Sequence, residues 1–157
     1  MNRPSPYKIR RAQVADFLQI AALDRVGWQQ NKAADYIPDG EHLWRFFVAY
    51  SAVFVAEHDE KIIGFANVFR ANDKAIFVLL KVVVDRKFRG QGVGQGLFSQ
   101  VVKECDRHGF ACLTTVDPEN NSMLHVCQKF GFTEKEYKAG YYRPEEHRYV
   151  LKRYPSR

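Results

Sequence analysis

Apolar residues recur along this chain in two rhythms, and those rhythms predict its elements before any residue is given a role. Tyr7–Arg10 reads as a short strand. Val14, Phe17, Leu18, Ala21 and Ala22 then fall at helical spacing, predicting a helix of about a dozen residues with those positions inward. Leu43, Phe46, Phe47 and Tyr50 lie on one face of a second helix, which Asp39, behind Pro38, is placed to cap. Between the two helices, Gly27 to Gly40 is irregular and carries Trp28, Tyr36 and the acids Asp35 and Asp39. Ala52–Glu57 and Lys61–Arg70 alternate as the strands of a hairpin turning at His58-Asp59-Glu60. Ala75–Asp85 is a nearly continuous apolar run, the pattern of a central strand covered on both faces.

The second half follows the same logic. Gly92–His108 is a helix with Leu97, Phe98, Val101, Val102 and Cys105 inward, ended by Gly109. Ala111–Val116 is the next strand. Met123, Leu124, Cys127 and Phe130 form the inner face of a helix that stops at Gly131. Phe132–Lys138 and Arg148–Lys152 close as a hairpin around Tyr141-Tyr142-Arg143-Pro144. The resulting order, β-α-α-β-β-β-α-β-α-β-β, makes an α/β (α+β) fold. No repeat, low-complexity tract or linker interrupts it, so residues 1–157 read as a single domain.

Composition changes this picture little. Hydrophobic residues at 46% and charged residues at 27% are ordinary for a globular protein, while aromatics at 14% suit an apolar groove as well as a core. The net charge of +6 invites a nucleic-acid partner, yet the cations are scattered and no recognition motif accompanies them, so none is expected. Cys105, Cys112 and Cys127 have no paired spacing and sit on apolar positions, which predicts buried free thiols and a reducing, cytoplasmic setting. No signal-peptide run follows the N-terminus, and Ala75–Val84 is too short and too interrupted by Lys81 to span a bilayer. The histidines lack ligand spacing, so no metal site is expected.

Chemistry enters at Arg89-Gly90-Gln91-Gly92-Val93-Gly94-Gln95-Gly96, where four glycines alternate between a strand and a helix. Together they forgo roughly 2–4 kcal/mol relative to alanine, a loss expected where backbone must approach something closely. Bare amides feeding a helix N-terminus favour phosphate. The dinucleotide fingerprint fails in both registers, at Gln95 and at Leu97, and the triphosphate loop lacks its Lys-Ser/Thr. What remains is Arg-x-x-Gly-x-Gly at Arg89, Gly92 and Gly94.

That spacing, after Leu79–Phe88, resembles the acyl-CoA loop of the GNAT superfamily of N-acetyltransferases. Val116-Asp117-Pro118-Glu119-Asn120, with a helix ending Lys129-Phe130-Gly131-Phe132, is similar to the family's downstream motif. The two blocks, about residues 75–132, stand in the family's order and spacing. The resemblance implies a mixed, mostly antiparallel sheet of about seven strands with helices on both faces. It also implies that the fourth and fifth strands splay to admit acetyl-CoA as co-substrate. Backbone amides of Val82, Val83 and Val84 would meet the pantetheine arm, with Val84 polarising the acyl carbonyl. Gly90, Gln91, Gly92, Val93, Gly94 and Gln95 would hold the pyrophosphate, with Arg89 adding charge. Asn120 is either a helix N-cap, a polar contact to acyl-CoA, or both.

Cys127 departs from the family. Many relatives carry there a Tyr that protonates the departing thiolate, so Cys127 is either a weak general acid near the cofactor or a small core residue. Tyr137, Tyr141 and Tyr142 are other hydroxyls able to reach inward. Glu57, Asp73, Glu134 and Glu136 are acids without a pattern, and none is assigned as base. Trp28, Tyr36, Tyr141 and Tyr142 would wall the acceptor site, with Asp35 or Asp39 attracting a cationic amine. The function implied is transfer of acetyl from acetyl-CoA to a primary amine of a small molecule or peptide, directly in a ternary complex. The rival route is a covalent acetyl-enzyme on Cys127. A catalytically weak acyl-CoA-binding sensor or partner module is the alternative of a different class, and assembly as a homodimer is left open.

Overall fold

The computed structural model describes residues 6–30, 39–72 and 74–156. Asp35, Tyr36 and Asp73 lie outside the described residues. The elements are β1 (Lys8–Arg11), α1 (Phe17–Gln29), α2 (Glu41–Tyr50), β2 (Ala52–His58), β3 (Lys61–Arg70), β4 (Ile76–Val84), α3 (Val93–His108), β5 (Ala111–Val116), α4 (Asn121–Lys129), β6 (Glu134–Lys138) and β7 (Arg148–Arg153). The strands form a seven-stranded sheet in the order β1-β2-β3-β4-β5-β7-β6. The neighbours β1/β2, β2/β3, β5/β7 and β6/β7 run antiparallel, and β4/β5 runs parallel. The β4/β5 ladder pairs Ile76 with Ala111, Phe77 with Cys112 and Val78 with Leu113. β4 itself continues to Val84. Among the described residues, no helix is long and apolar enough to cross a membrane.

Contacts gather into two compact units, Met1–Val68 with Lys81–Gln100, and Phe69–Leu80 with Val101–Arg157. The first is built on Ile20, Ala21, Trp44, Val48, Val53, Val55, Ile62 and Phe65, with Phe17, Leu23, Phe47 and Val83 packed against them. Its hairpin turns through Asp59 and Glu60, both with positive φ (47° and 62°), the two-residue turn whose twist matches the strands.

Both helices of this unit are rotated from their expected faces. In α1 the buried positions are Ile20, Ala21 and Asp24, while Leu18 is exposed and Val14 sits in a preceding 3₁₀ turn. In α2, Trp44 and Val48 are buried, whereas Leu43, Phe46 and Tyr50 are exposed. Apolar residues surround most of α2, so periodicity could not choose its inner face. Tertiary contacts chose: the Trp44 ring meets Phe65 and Phe47 edge-on at 4.8 and 5.3 Å, and its Nε1 donates to Asp24 Oδ2 at 3.0 Å. Asp39 does not cap α2, whose N-cap is Gly40.

In the second unit the expected helix stop at Gly109 is seen, with Phe110 N–H returning to Cys105 O at 3.0 Å. Arg153 on β7, nearly buried, grips Asp106 with two nitrogens (2.7 and 2.9 Å) and donates to Phe130 O at 2.9 Å. One guanidinium thereby joins the ends of α3, α4 and β7. Hydrogen bonding from Arg153 holds the Asp106 carboxyl below its ordinary range. Cys105, Cys112 and Cys127 are buried and free. β4 is central in the strand order, but of its residues only Phe77 and Leu79 are buried and Leu80 is exposed, short of the two-sided cover expected.

Candidate functional site

The first unit contains β4 from Lys81, the glycine loop and the start of α3. Asp85 N–H donates to Ile63 O on β3 at 2.7 Å. Because the peptide is planar and trans, Val84 C=O points to the opposite edge of β4. One peptide earlier, the Val83 carbonyl faces Gly64 on β3, so Val84 N–H points to that opposite edge as well. Strand alternation puts Val82 with Val84 and turns the Val83 amide toward β3. The expectation for the Val83 amide is therefore corrected: along this edge the donors come from Val82 and Val84.

The chain leaves β4 through a turn in which Asp85 Oδ1 accepts from Lys87 N–H at 2.9 Å. Gly90 and Gly92 then take positive φ, 76° and 84°. In that conformation a Cβ is strained, and at Gly92 it would stand 3.4 Å from the Tyr7 hydroxyl. Tyr7 closes the loop from outside by donating to Gln91 O at 3.3 Å. α3 begins at Val93, and Gly96 N–H turns back to Gly92 O at 3.0 Å, so the amides before it stand at the positive end of the helix. A positively poled cradle results, of the kind that receives phosphate oxygens.

Gly64 lets this cradle sit close to the sheet. A Cβ there would lie 3.1 Å from Val83 O and from Val93 Cγ1, and 3.2 Å from Leu97 Cδ1. A lone glycine inside the strand run Ile62-Ile63-Gly64-Phe65 is the sequence signal for such a close approach.

Arg89, expected to add charge at the loop, makes two side-chain hydrogen bonds. Its Nε donates to Val84 O at 3.2 Å, and its Nη2 donates to Gln30 Oε1 at 3.0 Å, just past the end of α1.

On the face of β4 that meets α1 lies an ionic cluster. Lys81 Nζ is 3.1 Å from both oxygens of Asp24 and 2.6 Å from Asp39 Oδ2. It also stands over the rings of Trp28 and Trp44, at 5.3 and 5.8 Å. Asp24 is nearly buried. Its place one turn beyond Ile20 on a core-facing stripe was the signal that could have found it. Asp39, expected to attract a cationic amine, shares Lys81 with Asp24. Of the unassigned acids, Glu57 is bound by Arg10 at 2.6 Å, Glu134 accepts from the Tyr154 hydroxyl at 2.7 Å, and Glu136 pairs with Lys138 at 2.7 Å.

The other expected residues belong to the second unit. Asn120 caps α4, its Oδ1 accepting from Met123 N–H at 3.1 Å. Cys127, on the same helix, is fully buried, and burial pushes its thiol up to about 12. Tyr141 and Tyr142 pack edge to face at 4.8 Å. The Tyr142 hydroxyl lies 3.1 Å from Thr115 Oγ1 on β5, with Arg148 over its ring at 5.0 Å.

Comparison with known proteins adds three findings. The model of the acetyltransferase (GNAT) family matches residues 14–132. A comparison with curated protein sequences finds no match. Among solved structures, similarity extends along almost the whole chain at low identity. The ribosomal-protein-S18-alanine N-acetyltransferase from Escherichia coli is 18% identical, with 96% of this chain and 95% of that one covered and a TM-score of 0.77. The structure of yncA from Salmonella typhimurium with its cofactor acetyl-CoA is 19% identical, covering 96% and 95%, with a TM-score of 0.79. PaiA N-acetyltransferase from Thermoplasma acidophilum in complex with coenzyme A is 14% identical, covering 94% and 98%, with a TM-score of 0.71.

Proposed function

The chain belongs to the GNAT acetyltransferase family, which makes it an acetyl-CoA-dependent acyltransferase, and on that premise we propose that it transfers acetyl to a primary amine by direct attack. The observation that carries the reading is the sequence of backbone donors in the first unit. Val84 N–H points away from β3, and the bare loop of Gly90 and Gly92 leads straight into α3. The cradle fits a pyrophosphate because Gly92 holds a φ of 84° that a Cβ would strain, which keeps its backbone open to an oxygen.

Bound there, acetyl-CoA supplies a thioester whose acyl carbon bonds to the amine nitrogen as its C–S bond breaks, coenzyme A leaving as the thiol and the nitrogen losing one proton. Val82 and Val84 amides hold the pantetheine arm, and Val84 N–H meets the carbonyl oxygen as it gains charge, where one preorganised donor is worth about 10²–10³ in rate. Gln91 to Gln95 hold the pyrophosphate. Asn120 contributes its cap and a polar contact, and Cys127 contributes a neutral thiol. Trp28, Tyr141 and Tyr142 serve the acceptor, a small amine or a peptide amine. We read the chain as one domain, because β4 and α3 each run without a break from one unit into the other. Three buried free thiols support a cytoplasmic setting. Sedimentation decides between a monomer and a homodimer.

Thiol release from acetyl-CoA across a panel of amines tests the proposal. Direct transfer gives intersecting initial-rate lines. Parallel lines, together with an acetyl adduct that disappears in Cys127→Ala, would replace it with the covalent route. A second reading, an acyl-CoA-binding module with weak turnover, is favoured by one observation: at about 12 the Cys127 thiol is a poor proton source at neutral pH. It predicts thermal stabilisation by acetyl-CoA without thiol release for any amine.

A further inference from the structure

Arg89 stands in the glycine motif, yet its guanidinium turns back onto the strand that precedes it. We propose that Arg89, anchored by Gln30, is a positioning residue for the Val84 amide. This rests on Val84 N–H being the donor to the acyl oxygen, as proposed above.

In an extended strand the N–H and C=O of one residue point to the same edge. Val84 therefore presents both groups on the edge opposite β3. Its carbonyl alone would place the negative end of a dipole beside an oxygen that is gaining negative charge. Arg89 Nε caps that carbonyl at 3.2 Å. The cap replaces a repulsive neighbour with a cation held through a charge-assisted bond. It also fixes the torsion that sets where Val84 N–H points.

The far side of the same guanidinium is held by Gln30 Oε1 at 3.0 Å. Gln30 is itself located by its own backbone, as the C-cap of α1, with its N–H returning to Gly27 O at 3.3 Å. Nε and Nη2 of a planar fork have a fixed separation, so the two contacts together define the orientation of the group. A lysine at this position would restore charge and could not bridge both acceptors.

The test uses two donors, acetyl-CoA and S-acetyl-N-acetylcysteamine, a thioester with no phosphate, with an amine that wild type accepts. If Arg89 positions Val84, Arg89→Met lowers kcat roughly 10- to 100-fold with both donors, the scale of a misplaced catalytic group, while KM for acetyl-CoA stays within about threefold. Arg89→Lys recovers only part of the loss. Gln30→Leu, at an exposed position outside the loop, lowers kcat with both donors by a smaller factor. If the loss falls on KM for acetyl-CoA and vanishes with the phosphate-free donor, Arg89 is a pyrophosphate ligand and the inference is overturned. Should Arg89→Met not fold, Gln30→Leu carries the test alone, and unchanged kcat with both donors overturns the inference. Wild type that binds acetyl-CoA and releases thiol from neither donor overturns the transfer reading itself, and this inference with it.

Discussion

Lys81→Met should destabilise this protein far more than loss of a surface lysine. Lys81 Nζ lies 3.1 Å from each oxygen of Asp24, whose side chain is only 3% exposed. At an effective dielectric of about 20, opposite charges 3.1 Å apart attract by about 5 kcal/mol. Removing Lys81 forfeits that attraction and leaves Asp24 desolvated, with Trp44 Nε1 and no cation beside it among the described residues. Breaking a buried pair from one side costs roughly 3–5 kcal/mol. In a chain of 157 residues that is a fall in Tm of roughly 6–20 °C, at 2–4 °C per kcal/mol. Adding Asp24→Asn to Lys81→Met removes the stranded charge and should restore most of the loss. Asp39→Asn alone, at the more exposed partner, should cost about 1 kcal/mol or less. Urea unfolding followed by tryptophan fluorescence reads wild type, these three variants and the Asp24→Asn single, since Trp44 is bonded to Asp24. A cost below about 1 kcal/mol for Lys81→Met, or a double variant as unstable as the sum of the singles, would refute the stranded-charge account.

Further outcomes follow from the glycines of the site and from Cys127. Acetyl-CoA at 100 times its Kd should add about 2.7 kcal/mol to the stability of wild type, and Gly92→Val, at φ 84°, should remove that increment in a thermal-shift assay. Gly64→Ala, with its new methyl 3.1 Å from Val83 O, should cost roughly 1–3 kcal/mol. It should also raise the Kd for acetyl-CoA by calorimetry, because relief requires α3 to lift from β4. Cys127, pushed up to about 12, should resist thiol reagents in the native protein at pH 8. Its thiol ionises near 9 in the unfolded chain and near 12 in the native one, so its contribution to stability is present below pH 9 and lost as pH rises toward 12. Cys127→Ala should flatten that part of the alkaline limb of a stability–pH curve.

The order of elements and the glycine loop were legible along the chain because both depend on local sequence. A hairpin turn, a helix stop at Gly109, an N-cap at Asn120 and a glycine run before a helix are each settled within a few residues. The face that each helix buries was not legible in α1 or α2. Apolar residues nearly surround α2, and its orientation was decided by Trp44 finding a partner in Asp24, twenty residues away along the chain. The same holds for charge. Asp39 reads as a cap or a lure for an amine, and Lys81 as a charge interrupting an apolar strand, until the fold brings Lys81 between Asp24 and Asp39. Within the strand, sequence could nominate Val82, Val83 and Val84 together, but which amides face which edge depends on the pairing of Asp85 with Ile63. Arg89 shows the limit most clearly: its motif foretold a phosphate ligand, and only tertiary proximity to Val84 and Gln30 reveals which oxygens its hydrogens meet. Local spacing determines what a segment can become. The partners of a buried charge, a buried face or a strand edge come from distant parts of the chain, and only the folded structure decides them.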